Sequence, residues 1–200
     1  MRNILSFTSV LVVCCLLLLV FQAIAQDKAE EEMKKEMEMW AKFAEPGIHH
    51  QHLKQLEGTW DVKVKSWNVP DAPPMESTGI AEFTMILGGR YLSMKAKSEF
   101  AGQPFEGFGV LAYDNVKKEY ESFWMDTMMT GFMTSKGKCE DNGKKWVMTS
   151  EMFNVAKDKT EKYKTIGKLI DKDTYEEEMY QVTPDGKEVK MMEFHYARKK

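Results

Sequence analysis

From Thr59 onward, apolar and polar residues alternate with a period of two. Trp60, Val62 and Val64 interleave with Asp61, Lys63 and Lys65, as in a half-buried strand. The alternation returns at Ile80–Leu87, with Ala81, Phe83, Met85 and Leu87 on one face. It returns again where Leu92, Met94, Ala96, Ser98 and Phe100 oppose Ser93, Lys95, Lys97 and Glu99. Further strands are expected at Phe105–Tyr113, Tyr120–Asp126, Gly131–Glu140, Lys145–Phe153, Lys162–Ile170, Thr174–Thr183 and Glu188–Ala197. Turn chemistry separates them: Gly88-Gly89, Ala101-Gly102-Gln103-Pro104, Asp114-Asn115, Asp141-Asn142-Gly143, Asp171-Lys172-Asp173 and Pro184-Asp185-Gly186. Asn68–Ser77, with three prolines, reads as a loop. About ten strands without intervening helices form an antiparallel meander that closes into a barrel or sandwich. A parallel α/β fold, which needs helices between its strands, does not fit.

Before Thr59 the period is that of a helix. Met33, Met37, Trp40 and Ala44 recur at spacings of three and four, and Glu30/Lys34, Glu31/Lys35 and Glu38/Lys42 are placed for ion pairs. The expected helix therefore runs Asp27–Ala44 and stops at Pro46-Gly47, as a spacer or a cap over a barrel mouth. A second helical turn, His49–Leu56, delivers Leu53 and Leu56 to one side. Ahead of both, Val10–Phe21 is unbroken apolar sequence behind Arg2, and Ala23-Ile24-Ala25 has the small-x-small form of a cleavage site. That run is short against the roughly 20 residues of a membrane span. It reads as a secretory signal removed near Ala25, leaving an exported protein with no integral membrane span. Three segments follow: signal 1–25, acidic amphipathic helix 26–46, and β-barrel domain 47–200.

Charge and cysteine content narrow the class. The formal charge is −3, one unit more negative once Arg2 leaves, and basic residues are scattered between strands. No nucleic-acid footprint results. Cys14 and Cys15 depart with the signal, so Cys139 has no partner for an intramolecular disulfide and is expected to be buried.

Several ordered motifs resemble those of the bacterial DUF1579 family. They are Gly47-Ile48-His49, Leu53, Leu56-Glu57-Gly58-Thr59-Trp60, Leu87-Gly88-Gly89-Arg90-Tyr91-Leu92, Gly102-Gln103-Pro104-Phe105-Glu106-Gly107 and Tyr113-Asp114-Asn115. The resemblance spans about Gly47 to the C-terminus. It implies a lipocalin-like, calycin-type antiparallel β-barrel and carries no established reaction. In barrels of the lipocalin and fatty-acid-binding type a first-strand Trp plugs one end and a basic side chain from the last strand stacks across it. Those positions here are Trp60 and Arg198.

The compositional oddity is methionine, 16 in all. The alternation turns Met85, Met94, Met148 and Met192 inward, where flexible thioethers either line a cavity for lipophilic molecules or fill a core. Trp60, Phe83, Met94, Trp146, Met148 and Phe194 are the candidate ligand-binding residues. A weak zinc or copper site at His49 and His52 lacks a completing ligand set. Met128-Met129 and Met191-Met192 are adjacent pairs, which in a strand point to opposite faces and grip one ion poorly. Haem-binding barrels of related shape, the nitrobindins, use a histidine near the C-terminus. Here an inward Met192, Phe194, Tyr196 face turns His195 outward, unless a bulge in the last strand reverses it. Arg90 invites a carboxylate-anchoring role or a local pairing. Glu176-Glu177-Glu178 reads as solvated, alternating faces.

No Gly-x-Ser-x-Gly elbow, phosphate loop or His-Glu-x-x-His occurs, so no catalytic residue, cofactor or metal is assigned. The favoured function is non-catalytic binding of a small apolar or amphipathic molecule in the lumen. A structural or protein-interaction module with a filled core is the first alternative. An enzyme or a haem- or copper-binding protein stands behind it.

Overall fold

The computed structural model describes residues 2–67, 69, 72–100 and 102–200, with the backbone alone for residues 2–20 and 23. Two compact units, Met1–Glu45 and Pro46–Lys200, divide the chain. The first is one helix, α1 (Arg2–Ala44). It is longer than the expected Asp27–Ala44, because the apolar run ahead of Asp27 continues the same helix. Of the expected spacings, Glu31 and Lys35 form an ion pair at 2.6 Å. The side chains of the expected export signal lie largely outside the described residues. Among the described residues no helix is long and apolar enough to cross a membrane.

The second unit opens with α2 (Ile48–Lys54), followed by ten strands. These are β1 (Gly58–Ser66), β2 (Met75–Ile86), β3 (Tyr91–Phe100), β4 (Gln103–Asp114) and β5 (Glu119–Asp126). The rest are β6 (Met133–Glu140), β7 (Lys145–Asn154), β8 (Lys159–Asp171), β9 (Thr174–Val182) and β10 (Glu188–Arg198). Each strand pairs antiparallel with the next, and β1 also pairs with β10, so the sheet closes into a barrel without free edges. The closing register runs from Trp60 opposite Arg198 to Ser66 opposite Met192.

In this unit element ends shift by up to three residues from the sequence expectation, as in β8, which begins at Lys159 rather than Lys162, and two further differences stand out. β2 begins at Met75, so the end of the expected proline loop is strand. Leu87 is not on the inner face of β2: it opens the turn, at φ 49° and 71% exposed. The chain reverses there because the amides of Gly89 and Arg90 both donate to the carbonyl of Ile86, at 3.1 and 3.2 Å.

The β7–β8 hairpin is pinned by Glu161. Its carboxylate accepts from Asn154 at 2.9 Å, from Lys157 at 3.0 Å and from the Tyr163 hydroxyl at 3.3 Å. The Asn154 hydrogen bond first, then Lys157 and Lys159, hold its pKa down to about 2. A carboxyl depressed in the folded state stabilises it above the unfolded pKa of roughly 4.3, and that stabilisation is lost as pH falls toward 2. Unfolding midpoints of the wild type should therefore drop between pH 4.5 and 2 more steeply than those of Glu161→Gln; parallel curves would refute this assignment.

Candidate functional site

The base of the barrel is sealed by residues from both ends of the second unit. Trp60 is fully buried, and its indole N–H donates to the carbonyl of Leu56 at 2.9 Å, which turns the ring across the floor. The Arg198 guanidinium lies 4.0 Å from the Trp60 ring centroid. Arg198 also donates to the carbonyls of Lys172 at 2.6 Å, Gln55 at 2.8 Å and Glu57. One side chain thus ties the last strand to the α2–β1 connection and to the β8–β9 turn.

The histidines belong to the same seal. His49 stacks on Tyr113 with ring centroids 3.8 Å apart. The Tyr120 hydroxyl meets Nδ1 of His49 at 3.1 Å and Nδ1 of His52 at 3.3 Å. Buried His50 accepts at Nδ1 from the Gly47 amide at 3.0 Å. Burial lowers the pKa of His49 and His50, reinforced by the neighbouring histidines and by Arg90 respectively, so these rings are neutral at neutral pH. The i,i+3 spacing that suggested a metal site instead brings two imidazoles to one tyrosine. Among the described residues no group of three or more His, Cys, Asp or Glu could hold a metal ion. Cys139 is half-buried against this core rather than fully buried, and burial pushes its thiol pKa up.

Above the floor the barrel is hollow. A cavity of about 460 Å³ is lined by Phe83, Met94, Trp146, Met148 and Phe194, five of the residues singled out from the sequence. Met192 also lines it, whereas Met85 packs into the core below. Trp60, expected in the wall as well as in the closure, is in the closure alone, because its ring is spent on Leu56 and Arg198. The indole of Trp124 occupies space that Gly107 and Gly109 leave open; a Cβ on Gly107 would stand 2.2 Å from that ring. Close approach of that ring explains those glycines.

The methionine pairs divide. Met128 and Met129 follow β5 rather than sitting in a strand, so strand alternation does not apply, and both line the cavity. In β10 the register shift falls between Lys190 and Met192, ahead of the Met192, Phe194, Tyr196 face, and the alternation beyond it is intact. His195 accordingly points outward, 3.5 Å from Glu176. Arg90 donates to the carbonyl of Leu87 at 3.2 Å and lies outside the cavity lining.

The residue that sequence reading missed is Glu177. Glu178 pairs with Lys190 and Glu176 faces His195, as solvated acids do, but Glu177 lines the cavity between them. The Tyr175 hydroxyl donates to its Oε2 at 3.0 Å. Gly167, opposite Glu177 in β8, makes room for that contact, since a Cβ there would lie 2.2 Å from the Tyr175 oxygen. Desolvation raises the Glu177 pKa against the single opposing hydrogen bond from Tyr175, with no cation contributing. The usable signal was the flanking pattern: Tyr175, Glu177 and Met179 share one face of β9, and a face carrying Tyr and Met points inward.

Four other polar side chains of the cavity pair with one another. Ser122 and Ser135 bond to each other across β5 and β6, and Trp124 donates to Asp126 at 2.7 Å. The Trp146 indole nitrogen is buried without a hydrogen-bond partner among the described residues.

A closed antiparallel barrel with one plugged end and an apolar lumen is the class of protein that this geometry defines. The chain belongs to DUF1579, described as a protein of unknown function, whose family model matches residues 45–198. No curated protein matches the chain. Among solved structures it is similar to Rv2717c from M. tuberculosis, at 15% identity over 78% of this chain and 100% of that one, with a TM-score of 0.56. A redesigned β-barrel, mFAP0, bound to DFHBI, is 13% identical over 72% of this chain and 99% of that one, at a TM-score of 0.39. A DUF3598-family protein of unknown function from Nostoc punctiforme is 12% identical over 74% of this chain and 48% of that one, at 0.35. The first likeness is one of fold. The other two are too loose in shape to bear on this chain.

Proposed function

We propose that this chain is an exported, non-catalytic binding protein that holds a small apolar or amphipathic molecule in the barrel lumen. The observation that carries this reading is the cavity of about 460 Å³, walled mainly by thioethers and aromatic rings. Ligand sites are commonly about 300–1,000 Å³ and mostly apolar with few polar groups. A filled structural core would leave no such space. Removing ligand carbon from water contributes about 25 cal/mol per Å², before the cost of ordering the ligand. Flexible methionines such as Met148 and Met192 adapt the wall to ligands of differing shape. Export rests on the sequence of residues 1–25, with cleavage near Ala25.

Native mass spectrometry of the protein purified from its own source, followed by denaturing extraction, tests the reading. A bound mass of a few hundred daltons that is released on unfolding is the expected result. A clean apo mass, together with no calorimetric uptake of 1-decanol, would replace lumenal binding with a structural role.

A further inference from the structure

The lumen is apolar but not electrically neutral in its design. Its inward ionisable side chains include two acids, Glu177 and Asp126. Lys97 also borders the cavity, yet its ammonium is turned out to Glu106 at 2.9 Å, with the Lys97 side chain 74% exposed. Among the described lining residues there is no other Lys, Arg or His. Asp126 is committed, accepting from the Trp124 indole at 2.7 Å and the Met128 amide at 2.8 Å. Among the described residues Glu177 has only the Tyr175 hydroxyl.

The surroundings of Glu177 are aromatic. Tyr175 lies 5.1 Å from Tyr196 and 6.3 Å from Trp146, centroid to centroid, and Phe194 is Glu177's register partner on β10. The neighbouring strands offer Gly167 on one side and Phe194 on the other, so no cation reaches the carboxyl from either. An uncompensated acid in a low-dielectric wall is costly while ionised, and the cost is relieved by a counter-ion. Aromatic faces add attraction for a cation and none for an anion.

We propose that the lumen selects lipophilic amines, with the ammonium seated at Glu177 among the Tyr175, Tyr196 and Phe194 rings and the hydrocarbon running along the methionine wall. This deepens the lumenal-binding reading and rests on it. A fatty carboxylate is the disfavoured occupant, because its head group would meet Glu177 with no Arg or Lys to hold it. A neutral chain binds by burial alone, without the charge contribution.

The raised Glu177 pKa agrees with this assignment. The groups facing it are the hydroxyls of Tyr175 and Tyr196, both kept neutral by burial. An acid raised in the folded state destabilises the empty protein progressively as pH rises from the unfolded pKa of roughly 4.3 toward the folded value. Glu177→Gln should therefore fold, and be more stable than wild type at neutral pH.

The test is calorimetric titration of the full chain with decylamine, 1-decanol and sodium decanoate at pH 7.5, on wild type and Glu177→Gln. Decylamine is expected to bind at least tenfold more tightly than 1-decanol, with decanoate weakest. Glu177→Gln should bring decylamine to within about threefold of 1-decanol measured on the same variant. Equal affinity for all three probes, or an amine preference that survives Glu177→Gln, overturns the amine assignment and leaves lumenal binding standing. Uptake of none of the three overturns lumenal binding itself.

Discussion

Trp60→Ala is expected to lower the unfolding free energy by about 3–5 kcal/mol, the range for deleting a fully buried large aromatic side chain. The cost should fall in the upper part of that range because the site cannot collapse. The hole would open beneath a rigid closed sheet, between β1, β2 and β10, whose registers fix Ala81 and Arg198 beside the missing ring. The Arg198 guanidinium would lose the face it stacks on, and the Leu56 carbonyl its indole donor. Trp60→Phe separates these contributions. It keeps a ring under Arg198 and gives up the N–H bond, a loss of about 1–2 kcal/mol for an unpaired buried acceptor plus some packing. Urea unfolding followed by tryptophan-independent circular dichroism measures both. A loss below about 1 kcal/mol for Trp60→Ala would mean that the floor is not held by this plug.

What could be read from the sequence followed the contrast between the two faces of each strand. In β3 the outward Ser93, Lys95, Lys97 and Glu99 are all polar, so the alternation marks Leu92, Met94, Ala96, Ser98 and Phe100 as lumenal, and all five line the cavity. In β10 a single alternation settled three inward residues and turned His195 out. Contrast fails where both faces are apolar, as in Phe108-Gly109-Val110-Leu111 of β4, and there the inward set had no sequence signature. It also fails where residue type misleads. Glu177 sits in an acidic triplet, and charge outweighed the Tyr175 and Met179 flanks that mark its face.

Whether the barrel is hollow lay beyond one-dimensional pattern altogether. The lumen's volume depends on how inward side chains from ten strands meet across it, and each strand reports only its own face. Small inward residues on the adjacent strands β2 and β3, Gly79, Ala81 and Ala96 among them, help keep it open, and their coincidence is visible only after the registers are known. The same holds for Met128 and Met129. Their joint position at the lumen follows from leaving β5, an event that the alternation rule does not foresee.

Filling that space should abolish binding while sparing the fold, and Thr165→Trp is the substitution that does so. Thr165 lines the cavity on β8, with Met148 its register partner on β7 and Met179 on β9. An indole there enters space bordered by thioethers, which can change rotamer to receive it. Overpacking should therefore cost no more than about 1–3 kcal/mol of stability. Binding of 1-decanol should fall at least about a hundredfold, or roughly 2.8 kcal/mol, because the occupied volume is the site itself. Lys164→Trp is the matched control. Lys164 is the next residue, turned away from the lumen and paired with Glu188 at 2.9 Å, so the same bulk outside should leave affinity within about twofold. If Thr165→Trp binds 1-decanol as wild type does, the molecule sits on the outer surface, and the cavity is only a void in the packing. If both variants lose binding, the strand rather than its inward face is responsible. Loss confined to Thr165→Trp places the ligand between Met148 and Met179, one inward position along β9 from Glu177.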